Sequence, residues 1–146
     1  MPPRLFCATP LPPAIAERAR AQFDARLSQD SQPDAAAVLA ILAADPTLAA
    51  VLVSARVRMD AAAIAQLPAQ LRLIAACSVG YDHIDIGAAA ARAIYVSNTP
   101  DVVSDDYAAR LGDAGQNLDH GTVAAVHHDD RGVVHVRNDE VLLRDV

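Results

Sequence analysis

Short apolar runs alternate with helix-forming segments along the first hundred residues, and this alternation limits the possible folds more than any other feature. Runs typical of buried strands lie at residues 4–8, 49–53, 71–76 and 94–97, with a weaker one near 26–29. Strands that alternate with helices indicate βαβ units and hence a parallel sheet. The sequence therefore predicts an open α/β sandwich, in which ligands gather at the carboxyl ends of the strands.

Four helices are predicted between these strands. The first spans residues 14–27, where Ile15, Ala19, Phe23 and Leu27 follow one another at intervals of four, the spacing of one helix face. Each of the other three follows an aspartate that can accept a hydrogen bond from a free N–H group at the helix start. They are residues 35–44 after Asp34, a short helix up to Leu67 after Asp60, and residues 86–92 after Asp85.

The composition excludes several classes of protein. The chain has 146 residues, of which 53% are hydrophobic and 21% charged, as in folded domains and unlike disordered chains. Its net charge of −6 argues against a nucleic-acid partner, which requires a basic face. Its two cysteines make no disulfide framework, and no apolar stretch is long enough for a membrane helix. We therefore expect a soluble, cytoplasmic protein with neither nucleic acid nor membrane as a partner.

The composition changes near residue 110. Residues 1–110 contain 29 alanines and one histidine, whereas residues 111–146 contain three alanines and four histidines. In the second part, apolar segments at residues 122–127 and 133–137 flank the turn-forming residues 129–132, a pattern typical of a β-hairpin. We therefore expect a C-terminal tail of a different kind, with a β-hairpin in it.

The histidines of this tail are a candidate metal site, because alternate residues of a hairpin share a face. They are His120, His127, His128 and His135. No cysteine lies among them, and their spacing matches no site with a defined ligand geometry. We expect these histidines to be solvated and predict no metal site in the tail.

The segment CSVGYDHID, residues 77–85, concentrates reactive side chains directly after a predicted strand. A reactive thiol needs an electropositive, partly exposed setting, which Cys77 lacks, so we expect a largely buried core residue. Asp82, His83 and Asp85 are too closely spaced to converge on a metal from a turn, and Asp85 is better explained as a helix cap. The side chains of the segment therefore predict neither a nucleophile nor a metal site.

The main chain of the same segment offers another interpretation. Ser78, Val79 and Gly80 lie between a strand end and a helix start, where consecutive N–H groups can point the same way. Such a concavity binds anions, including carboxylates, and glycine permits the close approach. A plain turn in which Gly80 supplies a positive φ explains the same residues. Spacing alone leaves both interpretations open, and the 146 residues contain neither a G-x-G-x-x-G turn nor a P-loop.

A resemblance to a known family is carried by LRLIAACSVGYDHIDIGAAAARAIYVSNTPDVVSDD, residues 71–106. The segment resembles the end of the substrate-binding (catalytic) domain of the D-isomer-specific 2-hydroxyacid dehydrogenase family, in the style of the glyoxylate/hydroxypyruvate reductases. With the earlier alternation, the resemblance covers roughly residues 4–106. It implies a flavodoxin-like open parallel sheet with helices on both faces in residues 1–106, followed by a divergent tail at 107–146.

The resemblance also implies a chemistry. The family interconverts 2-oxo acids and D-2-hydroxy acids with NAD or NADP, and the loop matching Ser78, Val79 and Gly80 binds the substrate carboxylate through main-chain amides. The segment matching residues 98–106 is the hinge to the cofactor domain, and Ser104, where the family usually has threonine, matches a position near the nicotinamide. The implied ligand is therefore a small 2-oxo or 2-hydroxy acid.

Family features beyond this hinge find no match in the sequence. The similarity fades at Tyr107, before the family's Rossmann domain and its catalytic Arg, Glu and His, and His83 does not lie at the position of that histidine. We therefore expect no catalytic residue and no complete cofactor site in this chain. The joint loss of similarity and change of composition suggests a truncation, such as a frameshift near codons 107–111, which a G-x-G-x-x-G within about fifty codons in another reading frame would support.

Three hypotheses about function follow. The chain is the substrate half of a hydroxyacid dehydrogenase, inactive alone because it lacks the cofactor site. Alternatively, it is a stand-alone module that binds small carboxylates or pairs with a protein through its hairpin. The third hypothesis is a folded remnant without a ligand. Without a covering second domain, we expect apolar surface at the strand ends and hence self-association.

Overall fold

The computed structural model describes residues 4–99 and, in the tail, the backbone of two further strands. Strands and helices alternate through the first part. The strands are β1 (Arg4–Cys7), β2 (Arg26–Leu27), β3 (Leu48–Val53), β4 (Leu73–Ala76) and β5 (Tyr95–Asn98), and the helices are α1 (Pro13–Phe23), α2 (Ala35–Ala44), α3 (Ala61–Ala65) and α4 (Ile86–Ala91). The tail contributes β6 (Val126–His128) and β7 (Val133–Val136).

All of these strands belong to one sheet, in the order β2-β1-β3-β4-β5-β7-β6. The first five are parallel, and their order is that of the flavodoxin-like doubly wound sheet. β7 joins β5 in parallel, and β6 pairs with β7 in antiparallel register, with Val126 opposite Val136. The predicted α/β sheet is confirmed, and β6 and β7 pair within the segment for which a hairpin is predicted.

Helices lie on both faces of the sheet. Helices α2, α3 and α4 pack against one another in series, so they share one face. The connection from β1 through α1 to β2 crosses the sheet in the opposite direction, and right-handed crossovers therefore put α1 on the other face. The sheet is thus covered by helices on both faces, as expected of this fold.

The core lies between the sheet and the α2–α4 layer. Phe6, Val51, Ile74 and Val96 form one row across four neighbouring strands, and each is at most 1% exposed. Burial of an aliphatic or aromatic side chain of this size contributes about 1.5–3 kcal/mol. Side chains alternate between the two faces along a strand. The residues two positions after this row, at the ends of the strands, therefore also face the layer of α2, α3 and α4.

The first helix ends earlier than its four-residue spacing predicts. Asp24 adopts a left-handed conformation, with φ 46° and ψ 50°, so α1 stops at Phe23. Leu27 lies in β2, opposite Cys7 of β1, and the expectation that the helix reaches Leu27 is wrong. The strand near residues 26–29 is present and covers two residues. Pairing with β1, a contact distant in sequence, decides the conformation of Leu27.

The three aspartate caps are confirmed. The side chains of Asp34, Asp60 and Asp85 accept hydrogen bonds from the N–H groups three residues later, at 2.8, 2.9 and 2.9 Å. A cap of this kind contributes about 1 kcal/mol. Asp85 therefore sets the start of α4 and, with it, the end of the loop that follows β4.

A charged cluster lies at the amino edge of the sheet. The Arg4 guanidinium contacts Asp24 at 2.8 Å and Asp45 at 3.2 Å, and Arg26 contacts Asp45 at 3.5 Å. The hydrogen bond from the Thr47 hydroxyl and, more weakly, the two arginines lower the pKa of Asp45. Because these residues begin or precede strands of a parallel sheet, the cluster lies at the edge opposite the loop after β4.

Candidate functional site

Residues 77–85 connect β4 to α4 at the carboxyl edge of the sheet, beside the end of β5. At its start, Cys77 N donates to the Val53 carbonyl at 2.8 Å, which extends the pairing of β4 with β3. At its end, Met59 N donates to the His83 carbonyl at 2.7 Å, and Asp85 N donates to the Met59 carbonyl at 2.8 Å. The loop is thus anchored on both sides by main-chain hydrogen bonds.

The middle of the loop is held through its carbonyl groups. Thr99 N donates to the Ser78 carbonyl at 3.0 Å, and Asn98 Nδ2 donates to the Val79 carbonyl at 2.6 Å. The Ser78 hydroxyl donates to the Gly80 carbonyl at 2.7 Å. Three consecutive carbonyl oxygens therefore have donors, two of them from the end of β5.

These bonds also set the direction of two N–H groups. The peptide units are trans, so the N–H of each unit points away from its carbonyl oxygen. The N–H groups of Val79 and Gly80 belong to the same units as the Ser78 and Val79 carbonyls, and they therefore point away from β5. Both residues are exposed, and neither N–H donates a hydrogen bond to another residue in the described part of the chain. Within residues 4–99, the loop thus presents two adjacent main-chain donors that have no partner.

The backbone conformation at position 80 does not require glycine. Its φ lies outside the left-handed range, so the interpretation as a turn with a positive φ at this glycine is wrong. Among the described residues, a Cβ added at Gly80 would approach only Asp82 Oδ2, at 3.9 Å, which is an ordinary contact. Since the space beyond this position is open, the missing side chain leaves room for a ligand above the loop.

The sequence predicts a largely buried Cys77, and this is wrong. Ile74 and Ala76 of β4 face the core, so the alternation of strand side chains turns Cys77 outward, and its residue is exposed. Desolvation by surrounding protein atoms nevertheless raises the pKa of its thiol. A thiol with a raised pKa is a poor nucleophile at neutral pH, so the expectation that Cys77 is not catalytic remains.

Cys77 does not pair with the other cysteine. Cys7 lies in β1, and β3 separates it from β4. Two strand spacings amount to about 9.5 Å, more than the roughly 7 Å that a disulfide spans between Cα atoms. Both thiols are free, and burial raises the pKa of Cys7 to about 11.

His83 lies half-buried in the second half of the loop. Desolvation lowers the pKa of its imidazole, and the nearby Asp82 carboxylate opposes this shift. Its Nε2 atom is buried and finds no hydrogen-bond partner among residues 4–99. Asp85, which would have to join it as a metal ligand, is occupied as the cap of α4. No cluster of three metal-ligating side chains occurs in the described part of the chain.

The remaining candidate residues lie outside the description. Ser104 is one of them, as is His120. Only the backbone of His127, His128 and His135 is described, and His127 lies opposite His135 in the hairpin. The predictions made for these residues stay predictions.

One residue of the site was not predicted. The sequence places Asn98 only in the predicted hinge segment, residues 98–106, yet it is 2% exposed and its side-chain amide contacts the loop. The available signal was a polar residue at the carboxyl end of an apolar strand, in the part of a parallel sheet where ligands bind.

Comparison with known proteins places the chain among dehydrogenases. A family model described as D-isomer specific 2-hydroxyacid dehydrogenase, catalytic domain, matches residues 6–109. A glyoxylate reductase of Thermococcus kodakarensis is 31% identical over 105 residues, which is 72% of this chain and 31% of that protein. The chain therefore spans about a third of the length of this curated relative.

Solved structures give the same grouping. A protein of Polaromonas sp. JS6 66, assigned to the NAD-binding D-isomer-specific 2-hydroxyacid dehydrogenases, is 25% identical with a TM-score of 0.65, over 90% of this chain and 49% of that one. An NADPH-dependent glyoxylate/hydroxypyruvate reductase of Sinorhizobium meliloti, in complex with NADP and malonate, is 29% identical with a TM-score of 0.56, over 77% and 33%. Within the described residues, no helix is long and apolar enough to cross a membrane.

Proposed function

We propose that this chain, which belongs to the D-isomer-specific 2-hydroxyacid dehydrogenase family, binds the carboxylate of a small 2-oxo or 2-hydroxy acid on the N–H groups of Val79 and Gly80. The observation that carries the proposal is this pair of exposed N–H groups, which have no partner in the described part of the chain and whose direction follows from the bonded carbonyls of Ser78 and Val79. Main-chain N–H groups that point together bind anions. Glyoxylate and hydroxypyruvate, named for two relatives, are small 2-oxo acids and support the substrate class.

The proposed role of the chain is to bind and orient the acid. In the whole enzyme, a nicotinamide cofactor, NAD or NADP, would supply or take up the hydride at the carbon next to the carboxylate. The described residues do not fit this cofactor: the β1–α1 connection contains Pro10 and Pro12, which have no N–H, and the β4–α4 loop has a single glycine before Asp85. We therefore expect no reductase activity from residues 1–146 alone.

The expected affinity is low. A hydrogen bond to a charged group contributes about 1.5–3 kcal/mol, so two N–H donors contribute about 3–6 kcal/mol. Association costs at least about 4 kcal/mol. The net gain is therefore at most about 2 kcal/mol, which corresponds to a Kd of about 30 mM, so binding at tens of millimolar or weaker is expected from these two N–H groups alone.

A titration followed by NMR of the ¹⁵N-labelled chain tests the proposal. Pyruvate and glyoxylate should shift the amide signals of Val79 and Gly80 in a saturable manner, with half of the full shift reached at tens of millimolar or above. Pyruvamide, which has the same shape without the negative charge, is the matched control and should leave both signals in place. Equal shifts with pyruvamide, or no shift of the two amides with either acid, would contradict carboxylate binding at this loop.

A second candidate function is association through the sheet or the loop. β6 is the terminal strand of the sheet and can pair with another strand along its outer edge. Val79 and Tyr95 are 37% and 41% exposed, which places apolar surface near the carboxyl edge and on β5. This candidate predicts a sedimentation coefficient that rises with protein concentration, and a constant monomer value would count against it.

A further inference from the structure

We propose that Asn98 is a positioning residue that holds the loop from behind and keeps the N–H groups of Val79 and Gly80 turned toward the ligand. This inference rests on the proposed carboxylate site and adds a residue that does not itself touch the acid. Asn98 is the last residue of β5, and it is separated from Val79 by 19 positions in the sequence. Its effect on the site would pass through one peptide unit.

The geometry assigns this role to the amide of Asn98. Its Nδ2 donates to the Val79 carbonyl at 2.6 Å, while the next residue, Thr99, donates its main-chain N–H to the Ser78 carbonyl at 3.0 Å. The last residue of β5 and the residue after it thus fix two neighbouring peptide units of the loop. The Val79 carbonyl, which Asn98 holds, and the Gly80 N–H belong to the same peptide unit. The carbonyl and the N–H of a trans peptide point in opposite directions, so the Gly80 N–H points away from Asn98.

The side-chain chemistry fits this role. The Val79 carbonyl needs a donor, which the amide of asparagine provides and the ionised carboxylate of aspartate does not. Asn98 is 2% exposed, and its Oδ1 is buried with no partner among residues 4–99. A buried polar atom without a partner destabilises a fold, so the net contribution of Asn98 to stability is expected to be small. The one hydrogen bond that its side chain makes to a described residue is the contact with the loop.

Variants of the full chain separate positioning from a merely structural role. Asn98→Ala removes the donor, and Asn98→Asp keeps the size of the side chain but presents an acceptor to the Val79 carbonyl. Ser97→Ala is the matched control, because Ser97 is the preceding buried polar residue and faces the opposite side of β5. Leu48→Val is a second control, a core truncation at the amino end of β3 and hence at the opposite edge of the sheet.

Two readouts are expected to change together. The Kd for pyruvate, measured from the Val79 and Gly80 amide shifts, should rise about two- to tenfold in both Asn98 variants, the range for one hydrogen bond. In the ligand-free protein, the ¹⁵N heteronuclear NOE of these two amides should fall, because the peptide unit is no longer held. Neither quantity should change in the Ser97→Ala or Leu48→Val variants, even where Leu48→Val lowers the melting temperature.

The outcomes distinguish this inference from the proposed function. If the unaltered chain shows no carboxylate-dependent shift at Val79 and Gly80, the proposed function fails, and the heteronuclear NOE still decides whether Asn98 holds the loop. If the unaltered chain binds pyruvate and both Asn98 variants bind it equally well, the positioning role is overturned. An equal loss of affinity in Leu48→Val would also overturn it, since it would trace the effect to general destabilisation.

Discussion

Replacing Gly80 by alanine should stabilise the fold and abolish carboxylate binding. The φ of Gly80 is compatible with alanine, and in the part of the chain that the structure describes the added Cβ would meet only Asp82 Oδ2, at 3.9 Å. Substitution of glycine by alanine at such a position reduces the freedom of the unfolded chain and stabilises by about 0.4–1 kcal/mol. For a domain of this size, the melting temperature should rise by about 2–6 °C.

The same methyl group should interfere with the ligand. It would project from the exposed side of the loop into the space from which a carboxylate reaches the two N–H groups. Loss of one charge-assisted hydrogen bond corresponds to about 1.5–3 kcal/mol, or a factor of about 10–150 in Kd. Starting from a Kd of tens of millimolar, binding of pyruvate should no longer reach saturation. Stability and binding would then change in opposite directions.

Gly87→Ala is the matched control for this experiment. Gly87 lies in α4, where an added Cβ would meet Asp85 Oδ1 at 3.6 Å, again an ordinary contact, and alanine favours the helix. Its melting temperature should rise as well, while the amide shifts of Val79 and Gly80 on addition of pyruvate stay as in the unaltered chain. If Gly80→Ala binds pyruvate as tightly as Gly87→Ala does, the argument that the missing side chain makes room for the acid is refuted.

Two further predictions concern charges beside the loop. Asp82→Asn should lower the Kd for pyruvate about two- to fourfold at low ionic strength, because it removes a negative charge a few ångströms from the anion; the gain should vanish in 0.5 M salt, and a gain that persists there would point to another cause. Because the pKa of His83 is lowered in the folded state, the unfolded chain takes up a proton at this residue at a higher pH than the folded chain does. The contribution of His83 to the free energy of unfolding is therefore intact above its ordinary pKa of about 6.5 and is lost as the pH falls through the folded pKa. The free energy of unfolding of His83→Gln, measured in urea at pH 7.5 and 5.5, should therefore depend less on pH than that of the unaltered chain; an equal dependence would mean that His83 does not titrate differently on folding.

The alternation of strands and helices could be predicted because its signals are local. An aspartate three residues before a free N–H, such as Asp60 before Ala63, acts within one turn of chain. The end of α1 could not be predicted in the same way. Leu27 continues the helical spacing, but its pairing with Cys7 across twenty residues outweighs that preference, and Asp24 takes the left-handed conformation that ends the helix.

The part of the candidate site that depends on local sequence could also be predicted. Gly80 and the loop around it follow a strand directly, so their place at the carboxyl edge follows from the strand pattern. The exposure of Cys77 depends on which face of β4 is buried, and that is set by the row through Ile74 and its neighbours in other strands. The contact of Asn98 with Val79 exists only because β4 and β5 are adjacent in the sheet.

A site built from main-chain N–H groups depends on residues that an inspection of exposed side chains would pass over. The Val79 side chain is exposed, yet its N–H would remain after truncation to alanine, so Val79→Ala should bind pyruvate about as well as the unaltered chain. The residues that matter are those that bond the loop carbonyls, Asn98 and Ser78, and the one that lacks a side chain, Gly80. An alanine scan of the loop and strand end should therefore weaken binding most at Gly80 and at the buried Asn98, and least at the exposed Val79, an order that a site made of side chains would not produce.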